Sequence, residues 1–171
     1  ISENTLIEAP TRIVAGTNIR IAADASLIFL NRLEVDGTLR HPVRIGPAGG
    51  QPWGGLALKG IGTAGSRIRN LRLQGGSGGG VGQVRYTGML SIHDTRDIEI
   101  DGLTMLNNVK FDDLIHVVYS NEIALSNLQL DGAVSDALDI DISNVVVENA
   151  RITRSGGDAI DLMDSTVNLI N

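Results

Sequence analysis

The sequence has no cysteine, only one Trp, two Tyr and two Phe, and no long apolar run. Without cysteine, no disulfide bond can hold the fold together. With so few aromatic residues, the core must be built from Ile, Leu and Val, which suit stacked β-strands. No stretch of about 18 apolar residues occurs, which excludes a membrane-spanning helix. A core of aliphatic strands is therefore the starting expectation.

Positive charge is also scarce. The chain has 14 Lys and Arg against 20 Asp and Glu, which gives a net charge of −6 at pH 7. Proteins that bind nucleic acid draw most of their affinity from Lys and Arg, so the charge argues against a nucleic-acid partner. An acidic chain fits cations or neutral sugars as ligands, and it fits plain solubility equally well.

What the sequence does have is an internal repeat in its last third. The phrases Asp113-Leu-Ile-His116, Asp136-Ala-Leu-Asp139 and Asp158-Ala-Ile-Asp161 begin 23 and 22 residues apart. After each phrase comes an apolar alternation and then a serine, at positions 120, 143 and 165. Self-similarity at a fixed period in the twenties predicts a solenoid, in which each repeat is one coil.

Elsewhere the apolar residues alternate in short runs that Gly, Asp and Pro interrupt, which is typical of β-strands joined by turns. No 3.6-residue period is held for three turns, so almost no helix is expected. The predicted fold class is all-β, a right-handed parallel β-helix with coils of about 22–25 residues. We expect a single domain over residues 1–171 that is a fragment of a longer protein. Its expected parts are capping coils at 1–50, a Gly-rich loop insertion at 75–87, and regular coils at 88–171 with an open C-terminal end.

Alignment of the repeats predicts which positions stack from coil to coil. Alternation within a parallel sheet places two aliphatic columns inside the solenoid. These inward columns are Leu90, Ile115, Leu138 and Ile160, and Ile92, Val117, Ile140 and Leu162. A turn column is expected to form a ladder that satisfies backbone groups at one corner, and its members are Asn70, Gly102, Asn127 and Asn149. The first Asp of each repeated phrase, at 113, 136 and 158, is expected to hold a second corner.

Three segments near the start read Ala15-Gly-Thr-Asn-Ile-Arg-Ile21, Leu33-Glu-Val-Asp-Gly-Thr-Leu39 and Pro42-Val-Arg-Ile45. This sequence pattern resembles that of the first coils of secreted right-handed β-helix proteins of the pectin-lyase-like superfamily. The resemblance implies a β-helix fold, an association with carbohydrate, and an extracellular or periplasmic location. The pair Asp112-Asp113 resembles the Asp-Asp of polygalacturonase-type hydrolases. The Asn-Thr-Asp, Gly-His-Gly and Arg-Ile-Lys motifs of those enzymes are absent, and no basic residue is placed as in pectate lyases.

The residues between the inward columns should face outward and form the candidate site. The two outward columns are Ser91, His116, Asp139 and Asp161, and His93, Val118, Asp141 and Met163. Neighbouring strands lie about 4.8 Å apart, so the carboxylates of one column should lie close together. Asp139, Asp141 and Asp161 are the candidate metal ligands, for which Ca²⁺ is the expected ion because it takes oxygen ligands. His116, Asp139 and Asp161 are the candidate catalytic residues of an acid–base site. A structural alternative is that these Asp residues only keep an exposed strand face soluble.

Aromatic residues supply the remaining candidates for ligand binding. Trp53, Tyr86 and Tyr119 would stack on sugar rings if they were exposed near the Asp face, and would otherwise pack at a coil corner.

Three functions stay open. The first is a non-catalytic extracellular module that binds polysaccharide or displays a surface, with a cation on the Asp-rich face. The second is a polysaccharide-active hydrolase, lyase or epimerase centred on His116, Asp139 and Asp161. The third is an assembly element that associates with itself through unpaired strands at the ends of the solenoid.

Overall fold

The computed structural model describes residues 1–171 and forms a parallel β-solenoid of about 7 turns, as the repeat predicts. Strands account for 60% of the residues and helix for 2%. The helix is a 3-10 turn at Ile61–Thr63. The structure has no helix that is long and apolar enough to cross a membrane. The all-β prediction is therefore confirmed.

The strands build two long parallel sheets and one hairpin. In chain order they are β1 (Thr5–Ile7), β2 (Thr11–Val14), β3 (Asn18–Ile21), β4 (Leu27–Phe29), β5 (Leu33–Asp36), β6 (Val43–Pro47), β7 (Leu56–Lys59), β8 (Arg67–Gln74), β9 (Gly79–Val81), β10 (Val84–Tyr86), β11 (Gly88–His93), β12 (Arg96–Leu106), β13 (Asp113–Val118), β14 (Asn121–Ala133), β15 (Leu138–Asp141), β16 (Asn144–Ser155), β17 (Ile160–Met163) and β18 (Thr166–Ile170).

The first sheet has the order β1-β4-β7-β11-β13-β15-β17, and we number the coils from one to seven by these strands. The second sheet contains β2, β5, β8, β12, β14, β16 and β18, with β3 and β6 paired beside the second half of β8. Residues 1–50, expected to be capping coils, form coils one and two, and their strands pair in parallel with the next coils.

The predicted inward columns form the core through the sixth coil, whereas on the seventh coil Ile160 is half-buried and Leu162 is 48% exposed. Leu90 pairs with Ile115, Ile115 with Leu138, and Leu138 with Ile160. The first three of these side chains are fully buried and belong to one cluster of 34 buried hydrophobic residues. Each coil alone would leave this apolar surface in water, so stacking of coils supplies the hydrophobic stabilisation.

The second sheet bends at the predicted Asn column. Asn70, Gly102, Asn127 and Asn149 all have positive φ angles, between 46° and 77°. Asn tolerates this left-handed conformation better than other residues that have a side chain. The Nδ2 of Asn70 donates to the carbonyl of Gly37, and the Nδ2 of Asn127 donates to Asp101 Oδ1 at 2.7 Å. At Gly102 a Cβ would lie 3.0 Å from Asn70 Oδ1, so glycine suits the one gap in the ladder.

The serines of the repeat form a second ladder, at the corner between the first and second sheets. The backbone N–H of Ser120 donates to Ser143 Oγ, and the N–H of Ser143 donates to Ser165 Oγ, both at 3.0 Å. Each hydroxyl in turn donates to a carbonyl two residues earlier in its own coil, Val118, Asp141 or Met163 respectively. The hydroxyls therefore satisfy backbone groups that would otherwise be buried without a partner.

The Gly-rich segment predicted as a loop at 75–87 contains the antiparallel hairpin of β9 and β10. The base of the hairpin is anchored where the N–H groups of Ser77 and Gly78 both donate to the carbonyl of Gly54. The hairpin folds back over the outer face of the first sheet, where Tyr86 joins Ile28 and Ala57 in a small buried cluster. The insertion is thus a cover for the first sheet.

We expect Ser143→Ala to lower the free energy of unfolding by about 1–3 kcal/mol, because it leaves the buried N–H of Ser120 without its acceptor. Denaturant unfolding followed by circular dichroism measures the change. Ser126→Ala is the matched control, since Ser126 is half-buried and its hydroxyl makes only 3.3 Å contacts at the surface. The control should change stability by less than about 0.5 kcal/mol. Equal effects of the two substitutions would contradict a structural role for the ladder.

Candidate functional site

The outward columns of the first sheet have the predicted register. Ser91 pairs with His116, His116 with Asp139, and Asp139 with Asp161. In the second column His93 pairs with Val118, Val118 with Asp141, and Asp141 with Met163. Because parallel strands stack in register, residues far apart in sequence become lateral neighbours on one face.

The hairpin divides this outer face into a covered part and an open part. Ser91 and His93 belong to outward columns, yet they are 0% and 5% exposed. The Tyr86 ring lies 5.2 Å from the His93 ring, measured between centroids, and forms part of this cover. The hairpin covers the outer face as far as the fourth coil. His116, on the fifth coil, is the first polar residue of the outward columns that lies at the edge of the hairpin.

His116 is held in place by the end of the hairpin. Its Nδ1 lies 2.8 Å from the Thr87 hydroxyl. Gly88 makes the approach possible, because a Cβ there would lie 2.8 Å from the backbone nitrogen of His116. With Nδ1 bonded to Thr87, the other ring nitrogen, Nε2, is free to face the next coil.

Two carboxylates of the sixth coil face that nitrogen. His116 Nε2 lies 3.4 Å from Asp141 Oδ2 and 3.7 Å from Asp139 Oδ2. One potential ligand atom from each residue can be chosen so that all three lie within 4.8 Å of one another. The side chains are 12% exposed for His116, 19% for Asp139 and 21% for Asp141, so they are shielded but reachable from solvent. We call these three residues the His-Asp-Asp cluster.

The cluster differs from both candidate sets that the sequence suggests. Asp161 is aligned with Asp139, but it lies on the seventh coil, is exposed, and accepts a hydrogen bond from the N–H of Leu162. The structure therefore brings His116 and Asp139 together with Asp141, and it leaves Asp161 outside the cluster. Asp141 is included because it shares one face of β15 with Asp139, on the coil next to His116. Asp161 is left out because it lies two coils away from His116.

Burial raises the pKa of the Asp139 carboxyl to about 6. The nearby charges of Asp141, Asp161 and Asp136 also raise it, while His116 opposes the shift. A carboxyl in this position exchanges its proton near neutral pH, which distinguishes it from an ordinary surface aspartate.

A further carboxyl lies behind the cluster. Asp113, the first Asp of the repeated phrase, is only 2% exposed. Burial raises its pKa to about 7, the charges of Asp139 and Asp112 add to the shift, and a hydrogen bond with the Thr87 side chain opposes it. Thr87 thus contacts both His116 and Asp113. The expected corner role fits Asp136 better, because its carboxylate accepts a hydrogen bond from the backbone N–H of Asp158.

Sequence reasoning placed His93 in an outward column but not among the candidate ligand or catalytic residues, and it did not include Thr87 or Asp113 in the site. The His93 ring lies edge-on to the His116 ring, with 5.0 Å between centroids, and its Nε2 has no hydrogen-bond partner. Burial, followed by the charges of His116 and Lys59, lowers the pKa of His93 to about 3, so this imidazole is neutral. The register gave a signal for His93, since it lies diagonally across from His116. No signal in the sequence placed Thr87, because the path of the hairpin is not periodic.

The three candidate aromatic residues lie in different environments. Trp53 is fully buried and its Nε1 donates to the carbonyl of Gln74 at 2.8 Å, so its ring offers no face to a sugar. Tyr86 is 5% exposed and packs under the hairpin. For these two residues the idea of an exposed stacking ring is wrong, because Trp53 packs in the main core and Tyr86 packs against the outer face of the first sheet. Tyr119 is 57% exposed and directly follows β13, so it alone of the three presents an open ring.

Comparisons with protein-family models, with curated proteins and with solved structures found no match to this chain. The β-solenoid fold is established by the structure. Membership of the pectin-lyase-like superfamily stays a prediction.

The raised pKa of Asp113 gives a test of the buried carboxyl. Above pH 7 the folded protein carries a buried charge, whereas the unfolded carboxyl titrates near its ordinary value of 3.8. As the pH falls through 7 the folded state takes up a proton first, so the contribution of Asp113 to stability rises toward pH 4. Asp113→Asn should therefore stabilise the protein more at pH 8 than at pH 5, by about 2–3 kcal/mol. Denaturant unfolding in the presence of a chelator measures the difference, and an equal effect at both pH values would contradict the prediction.

Proposed function

We propose that the protein is a non-catalytic, extracellular β-solenoid module that binds a divalent metal ion at the His-Asp-Asp cluster and, through that ion, a polysaccharide. The observation that supports it best is the convergence of an imidazole nitrogen and two carboxylate oxygens within 4.8 Å. Two ligand atoms that each lie about 2.1 Å from one ion are roughly 3–3.5 Å apart, and the Nε2–oxygen distances here are 3.4 and 3.7 Å. The two carboxylate oxygens lie within 4.8 Å of each other, so these side chains must move closer together to bind one ion.

The donor set narrows the choice of ion. Ca²⁺ prefers a shell of oxygen atoms alone, whereas imidazole is a good ligand for Zn²⁺ and other transition metals. With His116 in the cluster instead of Asp161, the expectation of Ca²⁺ gives way to Zn²⁺ or Mn²⁺.

The surroundings of His116 support metal binding. Histidine ligands usually donate their other ring N–H to a neighbouring acceptor, which orients the ring and fixes the tautomer. Thr87 occupies that position, at 2.8 Å from Nδ1. When Nδ1 carries the proton, the lone pair of Nε2 points toward Asp139 and Asp141.

Three protein ligands leave coordination positions open for other oxygen atoms. All three side chains keep some exposure, so a sugar hydroxyl or carboxylate is a suitable additional ligand. The extracellular or periplasmic location follows from the resemblance of the first coils to secreted β-helix proteins. Fractionation of the source cells with an antibody to this chain tests the location, and a signal confined to the cytoplasm would contradict it.

A second candidate function is a polysaccharide-active enzyme. It is favoured by the pKa of about 6 at Asp139, which suits that carboxyl to donate a proton. The role of acid would belong to Asp139, and the role of base or nucleophile to Asp141.

A metal titration tests the principal proposal. With Zn²⁺ or Mn²⁺ at about 100 times its dissociation constant, the folded protein should gain roughly 2.7 kcal/mol of stability. Asp141→Asn should remove most of this gain, because it takes away the charged ligand nearest to His116 Nε2. Isothermal titration calorimetry and thermal unfolding measure binding and stabilisation independently.

Asp161→Asn is the matched control, since it removes an equal charge from the same face but lies outside the cluster. It should leave the Zn²⁺ affinity within a factor of about three. Loss of binding in this control, or stronger binding of Ca²⁺ than of Zn²⁺, would refute the ligand set. No binding of any of the three ions would refute the proposed function.

The enzyme alternative predicts a different result. Incubation with a panel of polysaccharides should release new reducing ends or unsaturated products if the cluster is catalytic. Asp139→Asn should then lower the rate by about 10²-fold or more, as expected for loss of a general acid. If prolonged incubation with the native protein released no new reducing ends or unsaturated products from any polysaccharide, the enzyme alternative would be excluded and the binding function would remain.

A further inference from the structure

A basic groove lies on the second sheet, away from the His-Asp-Asp cluster. It has a volume of about 280 Å³ and is lined by arginines from three successive coils, Arg20, Arg44 and Arg72. Arg44 and Arg72 are direct neighbours on β6 and β8, and Arg20 comes from β3 on the coil before, where it pairs with Gly46 of β6. The groove contains no Asp or Glu.

These three arginines have no acidic partner. None of them belongs to any of the nine salt bridges of the protein. Arg20 and Arg44 donate only to the backbone carbonyls of Pro47 and Pro42, at 3.2 and 3.4 Å. All three residues are exposed. Like charges on adjacent strands destabilise a sheet, so this arrangement has a cost that an anionic ligand would offset.

The contrast with the rest of the molecule is strong. The whole chain carries a net charge of −6, and its acidic residues include the Asp columns on the first sheet. A local concentration of guanidinium groups on an acidic protein is therefore not a by-product of composition. Guanidinium groups bind carboxylates and sulfates in a planar, two-point geometry, which makes anions of this shape the best fit.

A second groove continues from the first and indicates what else the ligand carries. It has a volume of about 500 Å³, shares Arg72 and Thr104 with the basic groove, and is lined mainly by polar side chains. Asn70, Asn127 and Gln129 are among its residues, together with one carboxylate, Asp101, which accepts a hydrogen bond from Asn127 Nδ2 at 2.7 Å. Amide and hydroxyl groups donate and accept hydrogen bonds, which suits the hydroxyls of a sugar. Neither groove contains an aromatic side chain on which a nucleic-acid base would stack.

We propose that these joined grooves bind an anionic polysaccharide, with Arg20, Arg44 and Arg72 on its carboxylate or sulfate groups and the amide-rich groove on its hydroxyls. Arg44 and Arg72 lie opposite each other on strands about 4.8 Å apart, and Arg20 lies on the preceding coil beside Gly46, two residues along the strand from Arg44. A ligand with a charge on every sugar unit can therefore contact more than one guanidinium group. The inference deepens the proposed function, since it names the class of polysaccharide, and it depends on a surface separate from the metal site.

The test measures binding of polygalacturonate, heparin and neutral dextran by titration calorimetry in EDTA, so that the metal site does not contribute. Polygalacturonate or heparin should bind, dextran should not, and the affinity should fall as salt is raised. Arg72→Gln should weaken binding about tenfold, because Arg72 lines both grooves. Arg72→Lys keeps the charge without the planar fork and should have an intermediate effect.

Arg96→Gln is the matched control. Arg96 is exposed, has no salt bridge and lies in neither groove, so the variant has the same net charge as Arg72→Gln. Its affinity for the anionic polysaccharides should stay within a factor of about two. Unfolding midpoints of all variants confirm that they are folded.

Equal weakening by Arg72→Gln and Arg96→Gln would overturn the proposal, as would equal binding of dextran or an absence of binding to any of the three chains. Stronger binding of poly-glutamate than of polygalacturonate would overturn the choice of a polysaccharide as the ligand. Preference for polygalacturonate or for heparin identifies the anionic group as carboxylate or sulfate. Since EDTA is present throughout, failure here leaves the metal titration unaffected, and failure of the metal titration leaves this result unaffected.

Discussion

The parallel hydrogen-bonded ladder between successive coils is the constraint on which the rest of this structure depends. It fixes which residues become neighbours, because every strand of the first sheet from β4 to β15 lies between its counterparts one coil away. A slip by one residue would turn the Leu90 and Ile115 column outward and bring Asp139 inside, so the aliphatic core and the acidic face enforce the same register. The His-Asp-Asp cluster exists only because this register places His116 beside Asp139.

The corners add a second constraint, since the chain must turn sharply in each coil and satisfy its backbone groups. Left-handed residues recur at equivalent corners, including Asn127 and Asn149 in one column and Tyr119 and Ile142 in another. Asn accommodates this conformation easily, whereas a β-branched residue such as Ile142 is strained there. The serine ladder directly after Tyr119 and Ile142 supplies hydrogen bonds that hold this second corner in place.

Much of the periodic structure could be predicted from the sequence, and the non-periodic structure could not. The repeat gave the columns of Leu90 and His116 with the correct neighbours, because stacking in register is a direct consequence of a constant period. Burial of His93 was not predictable, because the hairpin that covers it departs from the repeat. The same departure explains why Thr87 was not recognised as a partner of His116. Asp141 takes the place of Asp161 in the candidate catalytic set, and His116 takes its place among the candidate metal ligands, because Asp161 lies two coils away from His116.

The hairpin of β9 and β10 also affects how cooperatively the coils of the solenoid unfold. In a plain solenoid each repeat contacts only its nearest neighbours, so unfolding can start at an end and proceed one repeat at a time. Here Tyr86 packs on Ile28 of coil two, Ala57 of coil three and His93 of coil four, and Thr87 reaches His116 of coil five. The hairpin acts as a clasp that joins four coils into one cooperative block. Coils six and seven lie beyond it, so Asp139 and Asp141 stand on the first coil outside the clasped block, directly beside its last member.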